Sequence, residues 1–214
     1  MTTNLVIVGC GGHGREVLTI VRAADEAAPA PRWRLLGFVD DRPSERNLKR
    51  VRQLDTEFLG GLEWLREAPR DTHLLVGIGD PRVRRAVGQR LDGYGLPAAS
   101  VVHPDATVGP DLVHGEGLVV FAGARVTTNV TLGRHVHLNQ NATVGHDSRL
   151  DDYVSVNPLA AVSGDCHLAE GVLVGTTAAV LQGLRVGAGS VVGAGACVVG
   201  DVPDGVVVKG VPAR

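Results

Sequence analysis

The sequence predicts two architectures in series: a small α/β domain with a parallel sheet over residues 1–97, and a parallel β-helix of six-residue repeats over 98–214. Three observations carry that reading. Apolar strand-like runs alternate with helical patterns in the first half. A glycine loop follows the first of those strands. In the second half an aliphatic residue returns at every sixth position, the sequence signature of a β-helix.

The opening run "NLVIVG" is short, apolar and β-branched, as a buried parallel strand requires. It passes into "GCGGHG" and then "REVLTIVRAADEA", where Val17, Leu18, Val21 and Ala24 fall at helical spacing. A second strand is expected in "WRLLGFVDD", a helix in "GGLEWLREA", a third strand in "HLLVGIGD" and a helix in "PRVRRAVGQRL". Gly9, Gly11 and Gly14 satisfy G-x-G-x-x-G between a strand and a helix, the Rossmann-like position. There the free backbone N–H groups and the helix dipole favour a phosphate; the alternative is a tight turn with no ligand. Asp40 and Asp41 end the second strand, where a ribose-reading acid sits in dinucleotide folds, and either could equally cap the turn before Pro43. Gly79 ends the third strand at the same edge of the sheet. Three βα units are too few for NAD and suit a mononucleotide-sized site.

Counting in sixes from Val102 to Val198 gives an aliphatic series that only His114 breaks. Two residues before each member lies a second row of small or aliphatic side chains, such as Ala106, Leu118, Ala142 and Cys166. Residues two apart share a strand face, so both rows point inward. Gly, Asn or Asp commonly follows the aliphatic residue, as at Gly133, Asn139 and Gly145, and reads as a corner. With three strands per coil, residues eighteen apart stack. Aromatics at 3% and 29 glycines agree with a core of small, branched side chains.

Composition excludes several classes. A formal net charge of -2 gives no electrostatic case for nucleic acid or a membrane surface as partner. No apolar run reaches the roughly 20 residues of a membrane span. The N-terminus reads as a strand and not as a signal peptide. Cys10, Cys166 and Cys197 are too scattered for a disulfide framework or zinc cluster, which fits a reduced, cytoplasmic protein.

The register also sorts the histidines. In "NQNATVGHDSRL", Val144 and Leu150 are scaffold, so His146 and Asp147 project from a corner with Thr128 and Gly164 as stacked neighbours. Gly164 leaves room beside the imidazole for a chain to pass. An imidazole near neutrality is a natural general base, and a carboxylate on its other nitrogen would orient it. Adjacent residues need not meet, so Asp147 can equally be a polar corner. His137 falls in an outward row with Val119, Ser155, Leu173 and Val191, an apolar stripe that reads as subunit packing. His114 reads as an end-of-coil residue. No H-x-x-x-x-H step exists for a β-helix zinc site, so no metal is expected.

The stretches "VVHPDATVGPD", "LGRHVHLNQNATVGHDSRLDDYVSV", "AEGVLVGTTAAVL" and "VVGAGACVVGDVPDGVVVKGVPAR", with "IVGCGGHGREV", "FVDD" and "GIGD" before them, resemble the left-handed β-helix acyltransferases. The combination is similar to the nucleotide-sugar N-acetyltransferases of UDP-4-amino-sugar type, also described as sialic-acid O-acetyltransferase relatives. That resemblance implies a homotrimer, acetyl-CoA bound between neighbouring β-helices, and a nucleotide-linked amino sugar held by the small domain. It implies N-acetylation of a 4-amino-4,6-dideoxy sugar with His146 as base beside Asp147. The other readings are O-acetylation of a sialic-acid-like sugar and a non-catalytic nucleotide-sugar-binding protein. Gly11, Gly12, His13, Asp40, Asp41 and Gly79 match the family's nucleotide-site positions, and Asn139 matches an asparagine near the acceptor. Some relatives carry a second histidine nine residues after the base, near the thioester; Ser155 stands there in this chain, and with Gly164 it is the expected cofactor contact.

Overall fold

The computed structural model describes residues 2–214. The first domain runs β1 (Thr3–Val8), α1 (Gly12–Ala27), β2 (Trp33–Val39), α2 (Glu45–Arg52), β3 (Phe58–Gly60), β4 (His73–Val76) and α3 (Pro81–Asp92). All pairings are parallel, in the order β3-β2-β1-β4. The central β1 is covered on both sides. Leu5 and Ile7 pack against α1, while Val6 and Val8 pack against Leu62, Leu65 and Leu74. This explains its unbroken apolar run.

Two elements were not expected from the sequence. The sheet has a fourth strand, β3, and an additional helix, α2. β3 is three residues long, and α2 buries only Val51. What holds α2 is its ends: Ser44 accepts from the Asn47 N–H, Glu45 lies in the first turn, and Lys49, Arg50 and Arg52 lie in the last. The helix expected in "GGLEWLREA" is a short 3₁₀ turn over Leu62–Arg66.

The second domain is a left-handed β-helix with three faces. The first face stacks seven two-residue strands from Val101–Val102 to Val207–Val208, the second six and the third five. Its partners are eighteen apart, as in His137↔Ser155 and Thr143↔Ala161, until the last coil, where Val191 pairs with Val207, sixteen residues on. Both inward rows form one continuous core, including Leu118, Val120, Ala142, Val144, Cys166 and Leu168. His114 lies exposed at the end coil. The corner chemistry differs from expectation. The left-handed residue is the third after each aliphatic one, at Asn129, His135, Asn141, Asp147, Tyr153, Leu159 and Asp165, with φ between 52° and 62°. Glycine at the first position serves close approach instead: a Cβ on Gly145 would lie 2.5 Å from the Gly164 nitrogen in the next coil.

The outward row through Val119, His137 and Ser155 is not a subunit contact. All three are 0% exposed, covered by the N-terminal domain of the same chain. Val119 and Phe121 join α1 residues Val17, Ile20 and Val21 in one apolar cluster. Gly88 lets α3 approach Tyr153, since a Cβ there would lie 2.9 Å from the phenol oxygen. Arg134 pairs with Asp92 at 2.8 Å across the same junction.

Arg84 fastens this interface. Its guanidinium is fully buried and donates to the carbonyls of Ile78 and Gly79 in its own domain, and to those of His135, Tyr153 and Val154 in the β-helix. It also donates to Ser155 Oγ at 2.8 Å, which in turn donates to the Gly79 carbonyl. Burial pushes Arg84 down to about 9, which leaves it charged at neutral pH. Replacement by methionine, which keeps the bulk and removes the donors, is expected to cost about 2–4 kcal/mol in urea unfolding by leaving buried carbonyls unpaired.

The same burial, with the Arg84 charge, holds His13 and His135 down at about 4 and His137 well below its ordinary value. An unfolded histidine takes a proton below about 6.5, whereas these folded ones stay neutral to about 4. The unfolded state therefore binds more protons between those limits, and stability falls as pH falls through that window. Melting temperatures measured from pH 7.5 to pH 5 are expected to decline, and to decline less in a His135→Phe variant.

Candidate active site

The loop after β1 is built for close approach. Gly9 holds φ +107°, and a Cβ on Gly14 would strike the Gly9 carbonyl oxygen, so the first and third motif glycines have no substitute. Gly11 differs, with nothing within 4 Å of a Cβ, because it borders open space. It is the N-cap of α1 with no side-chain cap, so the first N–H groups of that helix face a cleft. The cleft is a cavity of about 500 Å³ lined by Gly11, Gly12, His13, Asp40, Asp41 and Gly79, which brings together all six nucleotide-site residues read from the sequence.

The two acids divide their work. Asp40 accepts from the Cys10 N–H at 2.8 Å and the Arg42 N–H at 2.9 Å, so it braces the glycine loop and caps its own turn. Asp41 accepts from the Leu62 N–H at 2.8 Å and from Arg90 at 2.7 Å; those bonds, Leu62 foremost, hold its carboxyl below the usual range. Arg42, in the loop after β2, and Arg90, on α3, line the same cavity and were not singled out by the sequence, since neither falls in a motif. Cys10, pushed up to about 12 by burial and then by Asp40, is an inert thiol.

On the β-helix, His146 and Asp147 meet. His146 Nδ1 lies 2.6 Å from Asp147 Oδ2, and Asp147 Oδ1 accepts from Asn129 Nδ2 at 2.6 Å. The Asn129 bond first, and the His146 bond second, keep Asp147 below the usual carboxylate range. An ionised carboxylate only accepts, so Nδ1 carries the ring proton and Nε2 keeps a lone pair. Asn129 sits one coil back, and its own N–H is held by Asp111 Oδ2 at 2.8 Å. Sequence reasoning missed Asn129 because it named only the residue stacked on His146, Thr128.

Gly164 and Ser155 take other parts than expected. A Cβ on Gly164 would lie 2.5 Å from His146 Cε1 and Nε2, so the glycine seats the imidazole itself and does not open a passage. Ser155 is sealed in the domain interface with both hydroxyl roles used by Arg84 and Gly79, which removes it from the surface a cofactor would touch. Asn139 is 6% exposed and donates to the Val156 carbonyl and Asn157 Oδ1, a corner-holding arrangement. His13 is the junction of the two halves: its Nε2 lies 3.0 Å from His137 Nδ1.

The glycine cleft therefore lies over the first face, while His146 lies on the corner joining the second and third. Within one chain they are on opposite sides of the β-helix.

Fold and site together define a hexapeptide-repeat β-helix protein that carries a Rossmann-like glycine cleft and a carboxylate-oriented imidazole. Residues 4–91 match the PglD N-terminal domain family. The acetyltransferase domain of PglB from Neisseria gonorrhoeae FA1090, solved with acetyl coenzyme A, superposes with a TM-score of 0.87 at 33% identity, covering 100% of this chain and 99% of that one. PerB from Caulobacter crescentus, solved with CoA and GDP-perosamine, gives 0.88 at 31% identity over 99% and 96% of the two chains. The UDP-N-acetylbacillosamine N-acetyltransferase of Bacillus subtilis (strain 168) is 33% identical over 129 residues, 56% of this chain and 51% of that protein. The matched region spans 63% and 51% of the lengths of the curated relatives it resembles. The chain belongs to the nucleotide-sugar N-acetyltransferases of the left-handed β-helix, hexapeptide-repeat class.

A Gly164→Ala variant is expected to fold normally and to displace the His146 ring, since the methyl takes its place. A crystal structure of the variant showing the His146–Asp147 contact intact at 2.6 Å would contradict this.

Proposed function

We propose that the protein is an acetyl-CoA-dependent N-acetyltransferase acting on the amino group of a nucleotide-linked 4-amino-4,6-dideoxy sugar, with His146 as general base. The observation that carries the reading is the 2.6 Å bond from His146 Nδ1 to Asp147, which leaves Nε2 free to take a proton. The glycine cleft suits the diphosphate of the acceptor, with the N–H groups that open α1 and the Arg42 side chain facing it, while Arg90 is paired with Asp41. CoA and GDP-perosamine in PerB, and the UDP-linked acceptor named for the Bacillus subtilis enzyme, support this substrate class.

The reaction is a direct transfer. The amine nitrogen attacks the thioester carbonyl while His146 Nε2 takes its proton; the C–S bond then breaks, and the imidazolium returns that proton to the departing thiolate. Asp147 steadies the imidazolium, and Asn129 holds Asp147 in line. Acetyl-CoA approaches along the corner that carries His146 and Gly164. Since pocket and base face opposite sides of one chain, the acceptor held by one subunit meets His146 of a neighbour, as a homotrimer allows. Both co-substrates are cytoplasmic metabolites, so we assign the reaction to that compartment.

With acetyl-CoA and GDP- or UDP-linked 4-amino sugars, His146→Ala is expected to lower CoA release about 10²–10⁴-fold. Asp147→Asn should lower it about 10–100-fold, the loss of one charged hydrogen bond. Wild-type turnover in His146→Ala would refute the assigned base; acetylation of hydroxyl acceptors only would turn the reading to O-transfer. Co-assembly of inactive His146→Ala with inactive Gly11→Asp chains is expected to restore activity. Its failure to do so would place base and pocket in the same subunit.

A further inference from the structure

His137 is buried without a role in the reaction just described. It is 0% exposed, its Nδ1 lies 3.0 Å from His13 Nε2, and its own Nε2 has no hydrogen-bond partner among the described residues. The two rings stack at 5.1 Å between centroids, with Phe121 at 5.2 Å on the His13 ring. Both are neutral at pH 7, held low by burial and the Arg84 charge, so each carries one ring proton. One proton bridges them, and two arrangements are possible.

If His13 Nε2 donates, His137 must carry its proton on Nε2, which leaves a fully buried N–H with no acceptor. Orphaned buried N–H groups are rarer than bare acceptors, and each costs its full desolvation. If His137 Nδ1 donates instead, the orphan is a lone pair, and His13 carries its proton on Nδ1. That nitrogen lies beside Gly79, about where its Cβ would be 3.6 Å away, in the lining of the glycine cleft. The nearest carboxylate, Glu16, is 3.9 Å from it, too far for a hydrogen bond.

We propose that His137, a β-helix residue outside the cleft, is a positioning residue that fixes the His13 tautomer, so that His13 Nδ1–H is presented as a neutral hydrogen-bond donor to the diphosphate of the bound nucleotide. This rests on the nucleotide reading given above. The β-helix thereby sets the donor pattern of a pocket in the other domain. A donor without charge discriminates by geometry, complementing Arg42, which attracts by charge.

The test has two arms on the full-length protein. Long-range ¹H–¹⁵N correlation of the histidine rings is expected to show Nδ1–H tautomers for both His13 and His137; an Nε2–H tautomer at His13 overturns the inference, whatever the protein binds. In the second arm, GDP and UDP are titrated calorimetrically against wild type, His137→Asn and His137→Leu. The asparagine amide can still donate to His13 Nε2, so His137→Asn should bind within about twofold of wild type, whereas His137→Leu should weaken about three- to tenfold. In the acetylation assay the leucine variant should raise KM for the nucleotide sugar and leave kcat nearly unchanged. Equal affinity in His137→Leu and wild type overturns the proposal. Absence of GDP and UDP binding in wild type would instead count against the nucleotide reading, with the tautomer arm still deciding the role of His137. Should His137→Leu fail to fold, the ring spectra of the wild-type protein decide alone.

Discussion

The rest of the structure depends on one buried cation. Arg84 has no carboxylate partner among the described residues; its charge is dispersed over five backbone carbonyls and one hydroxyl, contributed by both domains. A guanidinium loses much hydration on burial, and only a nearly complete set of well-placed acceptors offsets the loss. Such a set exists where the end of β4 meets the corner at Tyr153 and Val154, and moving either domain by an ångström breaks several bonds together. The interface is thus specified by geometry more than by its apolar area. It determines which face of the β-helix is covered and which corners stay open.

The same charge separates two kinds of histidine. His13, His135 and His137 share burial and the Arg84 field, and both effects disfavour a further proton. They are fixed neutral hydrogen-bonding groups. His146 is about half exposed and bonded to a carboxylate, which orients its ring. Residue type alone does not distinguish these cases. The surroundings leave one histidine half exposed beside a carboxylate and hold the other three at the domain junction.

Much of this was legible in the sequence because it follows from periodicity. The six-residue rows place Val144 and Leu150 inside and His146 outside, and G-x-G-x-x-G after "NLVIVG" locates the cleft. Illegible parts were those that depend on contacts between distant segments. The stripe through Val119, His137 and Ser155 looked like an exposed subunit surface because nothing local to it encodes α1 and α3 as its cover. Ser155 was assigned to a cofactor by position for the same reason. α2 escaped because its stability lies in caps and charges, with hardly any apolar face to read. That Asp147 reaches His146 required the corner conformation, φ 61° at Asp147, which turns its carboxylate back onto the ring.

The spacing of His146 from His137 carries a further consequence. They are nine residues apart, and one coil is eighteen, as the pairing of His137 with Ser155 fixes. Nine residues is half a turn of a three-sided prism, from the middle of one face to the corner opposite it. His137 touches the N-terminal domain, so His146 is as far around the coil from that domain as the geometry permits. Neither rotation of a side chain nor flexing of a loop spans the β-helix. Under the proposed reaction, a chain so arranged lends its base to one neighbour and takes another's for its own pocket, a head-to-tail exchange that leaves every site filled only when the ring closes. On the proposed function, catalysis and assembly are therefore the same geometric requirement. An insertion of one hexad between His137 and His146 would preserve every inward side chain while moving the base to a different corner.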